Sequence, residues 1–284
     1  MIILAAISWG TAGLFTNWLA GYGFSSTQIA AFRMLSAAVS ITLIALPKWK
    51  SAFKIKASSL PILLAIGIIS IFSTSFFYLG SITASSMATA AILMYTAPFI
   101  VVIASVFLYK EPLTSKKITA LITAFIGCIL VSGTGSAETK GIIFGIISGF
   151  TYASYSLLSK KALKTIPSFT ISLYGFIFAA VSSLFSININ ATLNQLQQAD
   201  AKCIVLIAGI GLITSVVPYL CYTYGLKYIE AGNASIISMT EPLVATVLGF
   251  IVFGQTPTLS AIIGIILIVL AVVIIELKFK NKNA

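Results

Sequence analysis

Ten apolar runs, each close to twenty residues long, fill this sequence almost end to end. They cover roughly 1–20, 27–47, 60–82, 87–109, 117–134, 139–159, 167–187, 203–226, 232–253 and 258–277. About 20 apolar residues are what one α-helix needs to cross the hydrocarbon core of a bilayer. Lipid offers no partners to free backbone groups, so a spanning chain is helical or a closed barrel. The alternating ten-residue segments of a barrel do not occur here. The sequence therefore predicts an all-α integral membrane protein of ten transmembrane helices. Composition agrees: 8% of residues are charged, against about 25% in soluble domains. The longest linker, "NINATLNQLQQADAK", reads as a loop, which leaves no room for a soluble domain. The first run lacks a basic leader and a convincing small-residue cleavage site, so it is expected to be a retained helix rather than a cleaved signal.

The net charge of +11 invites a nucleic-acid reading, but its distribution argues for topology instead. The loops at 47–59, 110–117, 160–166 and 227–231 and the C-terminal tail hold fourteen of the seventeen basic residues. The opposite loops hold two, Lys140 and Lys202, and Arg33 lies inside the second run. Basic loops stay in the cytoplasm, which places both termini there and the chain in the inner or plasma membrane. Cys128, Cys203 and Cys221 have neither metal nor redox spacing. Histidine does not occur, which removes the usual general base, metal ligand and proton shuttle. No metal or other cofactor is expected.

The second half of the sequence echoes the first. Residues 85–114 lie over 228–258 with Pro98 on Pro242, and the same offset puts Tyr78 on Tyr222, Ala90 on Ala234, Thr96 on Thr240 and Thr114 on Thr258. "SAAVSITL" resembles "FAAVSSLF", and "SWGTAGLF" can be laid over "SGFTYASY", in the same order along the chain. The expected units are 1–135 and 139–284, each of five helices. Five is odd, so the second unit enters the membrane inverted. Inverted repeats are a transporter signature, with the substrate site at the midplane where paired helix breaks meet. Here the paired breaks are Pro98 and Pro242. Proline removes a backbone donor and disfavours helical geometry in the residue before it, namely Ala97 and Glu241.

Glu241 is the sharpest feature. An ionised carboxylate at the bilayer centre costs at least about 2.5–3.5 kcal/mol, so it is expected to face a cavity, take up a proton or meet a cation. Ala234, Ser238, Glu241, Ala245 and Gly249 form a small, polar stripe at helical spacing. Arg33 either snorkels to the nearer interface or serves a gate or an ion pair. Glu111 is a solvated loop charge or an inner-gate contact. Aromatic and hydroxyl side chains collect on further faces: Ser148, Tyr152, Tyr155, Ser156 and Ser159; Ser215, Tyr219 and Tyr222; Ser75 and Tyr78. Trp9 and Tyr95 add a ring each. Rings plus a few polar groups suit a small amphiphilic ligand, and aromatic faces also hold cations.

The paired "TAPF" and "TEPL" prolines, "SWG" in the first run, the arginine of the second and "FLYKEPLT" after the fourth resemble the drug/metabolite transporter superfamily, in its EamA branch. The resemblance covers the whole chain. It implies a central cavity between the repeats, alternating access and, in many members, export of amino acids or related metabolites. Carried onto this chain, it implies a lining of Trp9, Tyr78, Tyr95, Tyr152, Tyr155, Tyr222 and Glu241, with Ser238 beside it. One departure is Gln255 in "FGQTPT", where the family often repeats the acidic residue.

The leading expectation is a secondary transporter of a small polar or amphiphilic metabolite, directed outward, with Glu241 binding a cationic group, exchanging a proton, or both. No phosphate-loop motif is present for ATP. The alternatives are an importer of a nucleoside-like or sulfonium metabolite, a channel, or a membrane enzyme acting on lipid. Expected partners are the small-molecule substrate and membrane lipid, with the chain a monomer or homodimer and no nucleic acid bound.

Overall fold

A computed structural model describes residues 1–48, 52–133 and 138–276. Lys50, Lys278, Lys280 and Lys282 of the basic loops, and the final residues of the expected fifth and tenth runs, lie outside the described residues. The long helices are α1 (Ile2–Ala20), α2 (Ser26–Ala45), α3 (Ala57–Ala84), α4 (Met87–Tyr109), α5 (Ser115–Ser132), α6 (Thr139–Ala162), α7 (Ser168–Leu184), α9 (Ala201–Gly225), α10 (Ala231–Phe253) and α11 (Leu259–Glu276). Nine of these described helices are long and apolar enough to cross a membrane. The other, α7, is bent by 100° against a short helix, α8 (Ile189–Gln197). The "NINATLNQLQQADAK" segment is thus not merely a loop. Asn188 starts α8 by accepting a hydrogen bond from the Ala191 N–H at 3.1 Å.

Caps fix several other ends. Ser25 and Gln28 form a reciprocal capping box at the start of α2, which satisfies two orphan backbone donors at once. Thr114 caps α5 and Asp200 caps α9. Side chains such as Phe107, Val205 and Ile251 point out of the bundle, as lipid allows and water would not.

Inside, the helices pack through small and hydroxyl side chains, the usual means of close approach in membranes. Along α3 and α6, Ser70 and Ser154 hydroxyls meet at 2.6 Å, Thr74 donates to Thr151 at 3.0 Å, and Ser81 donates to the Gly141 carbonyl at 2.7 Å. Contacts follow an exchange pattern. Helix α1 packs on α9 and α10, while α6 packs on α3 and α4; α2 packs on α9, while α7 packs on α3; α4 meets α10, and α5 lies along α11.

The loops sort to two ends. At the basic end, Lys160 donates to the Leu226 and Ile229 carbonyls at 2.6 Å each, and Tyr174 donates to the Phe53 carbonyl at 2.9 Å. At the other end, Tyr22 donates to Asp200 at 3.0 Å and Gln28 donates to Thr192 at 2.9 Å.

Candidate functional site

Two helices are interrupted halfway. In α4 the helical run Met87–Met94 stops, and a second run begins at Ala97; in α10 the run Ala231–Ser238 stops, and a second begins at Glu241. The interruptions fall at Tyr95–Thr96 and Met239–Thr240, two residues before each proline. This corrects the expectation that Ala97 and Glu241 leave helical geometry. Each proline sits in the first turn of its new half-helix, where no backbone donor is needed. The threonines stabilise the gaps: Thr96 Oγ1 donates to the Leu93 carbonyl at 2.6 Å and Thr240 Oγ1 to Ile237 at 2.9 Å.

Each gap is covered by a glycine from the first helix of the other half. A Cβ on Gly10 would lie 2.6 Å from Val244 Cβ and 3.0 Å from the Glu241 carbonyl. One on Gly149 would lie 2.7 Å from Thr96 Oγ1 and 2.9 Å from the Leu93 carbonyl. Only a residue without a side chain lets α1 and α6 come this close.

Glu241 opens the second half of α10, so its carboxylate stands at a helix N-terminus, where the aligned peptide dipoles favour negative charge. It is half-buried, whereas Ser238, Met239 and Pro242 around it are buried. Tyr78, Tyr95, Tyr152 and Tyr219 all lie within its electrostatic reach. Ser238 sits one turn earlier, beside the Tyr152 hydroxyl. Ala245, placed on the same stripe by its spacing, is instead exposed.

Among the described residues, the rings of Trp9, Tyr152, Tyr155, Phe176, Tyr219 and Tyr222 form one cluster, which does not include Tyr78 or Tyr95. Trp9 meets Tyr219 and Tyr222 with centroids 5.4 Å apart, and Tyr152 at 6.4 Å. Tyr155 stacks edge-on to Tyr219 at 4.8 Å. Two pairs of buried hydroxyls meet here: Tyr155 with Thr223 at 2.6 Å, and Tyr222 with Ser156 at 2.7 Å. Two members of this cluster, Tyr219 and Phe176, lie outside the lining expected from the sequence. Tyr219 joins Trp9, Tyr155 and Phe176, and its place on the Ser215–Tyr219–Tyr222 face was a usable signal. Phe176 of α7, 5.0 Å from Tyr219, carried no signal beyond being apolar.

Arg33 does not snorkel outward. Its Nε donates to Ser215 Oγ on α9 at 2.8 Å, Tyr219 lies beside the same guanidinium, and Glu241 is within its electrostatic reach. The ion pairs among the described residues do not include Arg33 with Glu241, so the opposite charges stand apart. A separate, shallow cleft opens between α2, α3 and α7, lined in part by Met34, Phe72, Ser75 and Ser183.

Glu111 is far from a solvated loop charge. It is only 6% exposed and takes the Ala231 and Gly232 N–H groups on its two oxygens, at 2.7 and 3.1 Å. It thereby caps α10 from the end of α4. Lys117, 2% exposed, reaches Glu230 at 2.8 Å, Glu111 at 3.6 Å and the Pro112 carbonyl at 3.0 Å. At the other end Gln255 is exposed. Among the described residues no three His, Cys, Asp or Glu side chains gather to hold a metal.

The sequence profile of the EamA-like transporter family matches this chain twice, over residues 1–133 and 139–277. A protein of Archaeoglobus fulgidus described as an uncharacterized transporter is 33% identical over 197 residues, 69% of this chain and 70% of that protein. The uncharacterized inner membrane transporter YicL of Salmonella typhimurium is 24% identical across 99% of this chain and 95% of its own length. A crystal structure superposes with a TM-score of 0.79 over 97% of this chain and 96% of the other, at 17% identity, a likeness of fold alone. This chain belongs to the EamA-like transporter family, and is a multi-pass membrane transporter rather than an enzyme.

Proposed function

We propose that the protein is a secondary transporter moving a small polar or amphiphilic metabolite, an amino acid or related compound, outward across the inner membrane. Ten helices in two inverted repeats, 1–135 and 139–284, would rock about the site at Glu241, with both termini cytoplasmic. The observation that carries this reading is Glu241 itself: a half-buried carboxylate at the start of a half-helix, within electrostatic reach of Tyr78, Tyr95, Tyr152 and Tyr219, with Arg33 outside ion-pair contact among the described residues. A site of this kind offers one anchor for a cationic group, one for an anionic group and rings for an apolar body. The same carboxylate is the group to carry a proton in exchange.

Several features support the repeat. The helix gaps differ by 144 residues, as do the left-handed residues Lys110 and Gly254 that end the interrupted helices. Stretches of widened π-helix occur at Ala65–Phe72 in α3 and Leu212–Val216 in α9. The exchange of helix contacts, α1 on α9 and α10 against α6 on α3 and α4, also supports a two-fold between the units.

Glu111, Lys117 and Glu230 form the inner gate in this account. They tie the end of α4 to the start of α10 on the basic side. Because an exposed Gln255 stands at the matching position, no carboxylate there repeats the Glu111 clamp among the described residues, and the two sides open at different cost.

The test is purified protein in liposomes bathed in a mixed metabolite extract, with and without an imposed proton gradient, and mass spectrometry of the lumen. The proposal predicts saturable enrichment of a few amino-acid-like compounds. Flux that rises without saturation would indicate a pore, and no enrichment under any gradient would remove the transport mechanism offered here.

A further inference from the structure

We infer that α8 is an interfacial helix that sinks Ile189 and Leu193 into the lipid leaflet on the side away from the basic loops. The helix follows α7 through a 100° bend, so if α7 crosses the membrane, α8 runs along its surface. Eight of its nine residues, all but Ala191, divide into three sectors around the axis. Thr192, 4% exposed, with Gln195 and Leu196, faces the protein. Gln28 donates to Thr192 and to Gln195 at 2.9 Å each, Gln195 donates to the Gly23 carbonyl at 3.1 Å, and Leu196 packs on the cluster of Leu19, Phe24 and Phe32.

A second sector is polar and open: Asn190, Asn194 and Gln197. The third is apolar and open. Ile189 and Leu193, one turn apart, are 48% and 51% exposed, and Phe185 at the end of α7 is 88% exposed. A helix that is protein-facing, water-facing and apolar on three successive sides fits a boundary between water and hydrocarbon.

The occupant of the apolar sector is lipid for a geometric reason. Both ends of α8 run within a few residues into helices of the membrane bundle, α7 and α9, which hold it at the bilayer surface. Ile189, Leu193 and Phe185 together are too small a patch for a stable contact between proteins, which needs on the order of 1,000 Å². Residues 185–199 carry no charge, so insertion rests on apolar burial and is indifferent to the charge of the headgroups. The other face is bound to Gln28 and Gly23, which extends this lipid grip to the turn between α1 and α2.

The test uses full-length protein in liposomes with single cysteines introduced by Ile189→Cys, Leu193→Cys, Asn190→Cys or Asn194→Cys, each carrying a fluorophore, in a background lacking Cys128, Cys203 and Cys221. All four positions are exposed, so the bundle does not depend on them, and two positions per sector guard against one failing to fold. Lipids with a quencher high on the acyl chain should quench the Ile189 and Leu193 sites several-fold more than the Asn190 and Asn194 sites, with iodide in the water giving the reverse order. Equal iodide quenching at all four would overturn the inference. So would Leu193 quenching by lipid that falls as more protein is packed per liposome, since a second copy would then be covering the patch.

Discussion

Consider Glu111→Ala. The carboxylate holds two N–H groups at the start of α10, at 2.7 and 3.1 Å, inside a site only 6% exposed. Hydrogen bonds to a charged group contribute about 1.5–3 kcal/mol each, so losing both weakens this arrangement by at least about 3 kcal/mol. Lys117 also loses one of its two anions, which adds to the loss because an under-compensated buried charge is costly. If the cluster exists only while the basic side is closed, the whole loss falls on the closed state. A shift of about 3 kcal/mol changes the ratio of the two states roughly 100-fold. The reporter is Ser235→Cys, on α10 between the clamp and Glu241 and 4% exposed in this structure. Its labelling by a membrane-impermeant thiol reagent from the basic side should accelerate by about that factor when combined with Glu111→Ala. A lowered unfolding temperature with unchanged labelling would refute the gate and leave a static clamp.

Other consequences can be checked independently. Gly149→Val puts branched carbon where even a Cβ meets Thr96 Oγ1 at 2.7 Å; a loss of about 1–3 kcal/mol from overpacking should lower the thermal midpoint in detergent. Lys110 is left-handed with φ 56°, a region costing a side-chain-bearing residue about 1–2 kcal/mol, so Lys110→Gly should raise the midpoint. Asp200 is held below the usual carboxylate range, first by the Cys203 N–H and then by the Tyr22 hydroxyl. A depressed carboxyl stabilises the fold above its unfolded pKa and loses that contribution as pH falls through the folded value. Acidification should therefore loosen the α1–α2 turn from α9, read as faster hydrogen exchange there, and Asp200→Ala should erase the pH dependence.

Much of the fold was legible because the lipid requirement is blunt. A run of apolar residues long enough to span must be a helix, and the structure keeps each expected run within a few residues. The prolines located the helix gaps to within two residues; the shift arises because the threonine that opens each "TAP" or "TEP" closes the earlier turn through its own hydroxyl. Glu241 and the tyrosines stood out in the sequence as candidates because a carboxylate and hydroxyl-bearing rings have few reasons to sit in mid-span. Less visible were features made by distant partners. Glu111 takes its donors from residues 120 and 121 positions away, and nothing in "YKEPLT" distinguishes that role from a solvated charge. Arg33 is near enough to the end of α2 to snorkel, and Ser215 on another helix decides against it. In α8 two apolar residues one turn apart, among uncharged polar ones, gave too short a period to separate from a loop.

Transport by wild type and Glu241→Gln, compared side by side in liposomes bathed in the same metabolite mixture, tests the central claim most directly. The account predicts that the compounds enriched by wild type are lost with Glu241→Gln while the protein remains folded. Equal enrichment by both would contradict it, leaving a transporter whose site lies elsewhere.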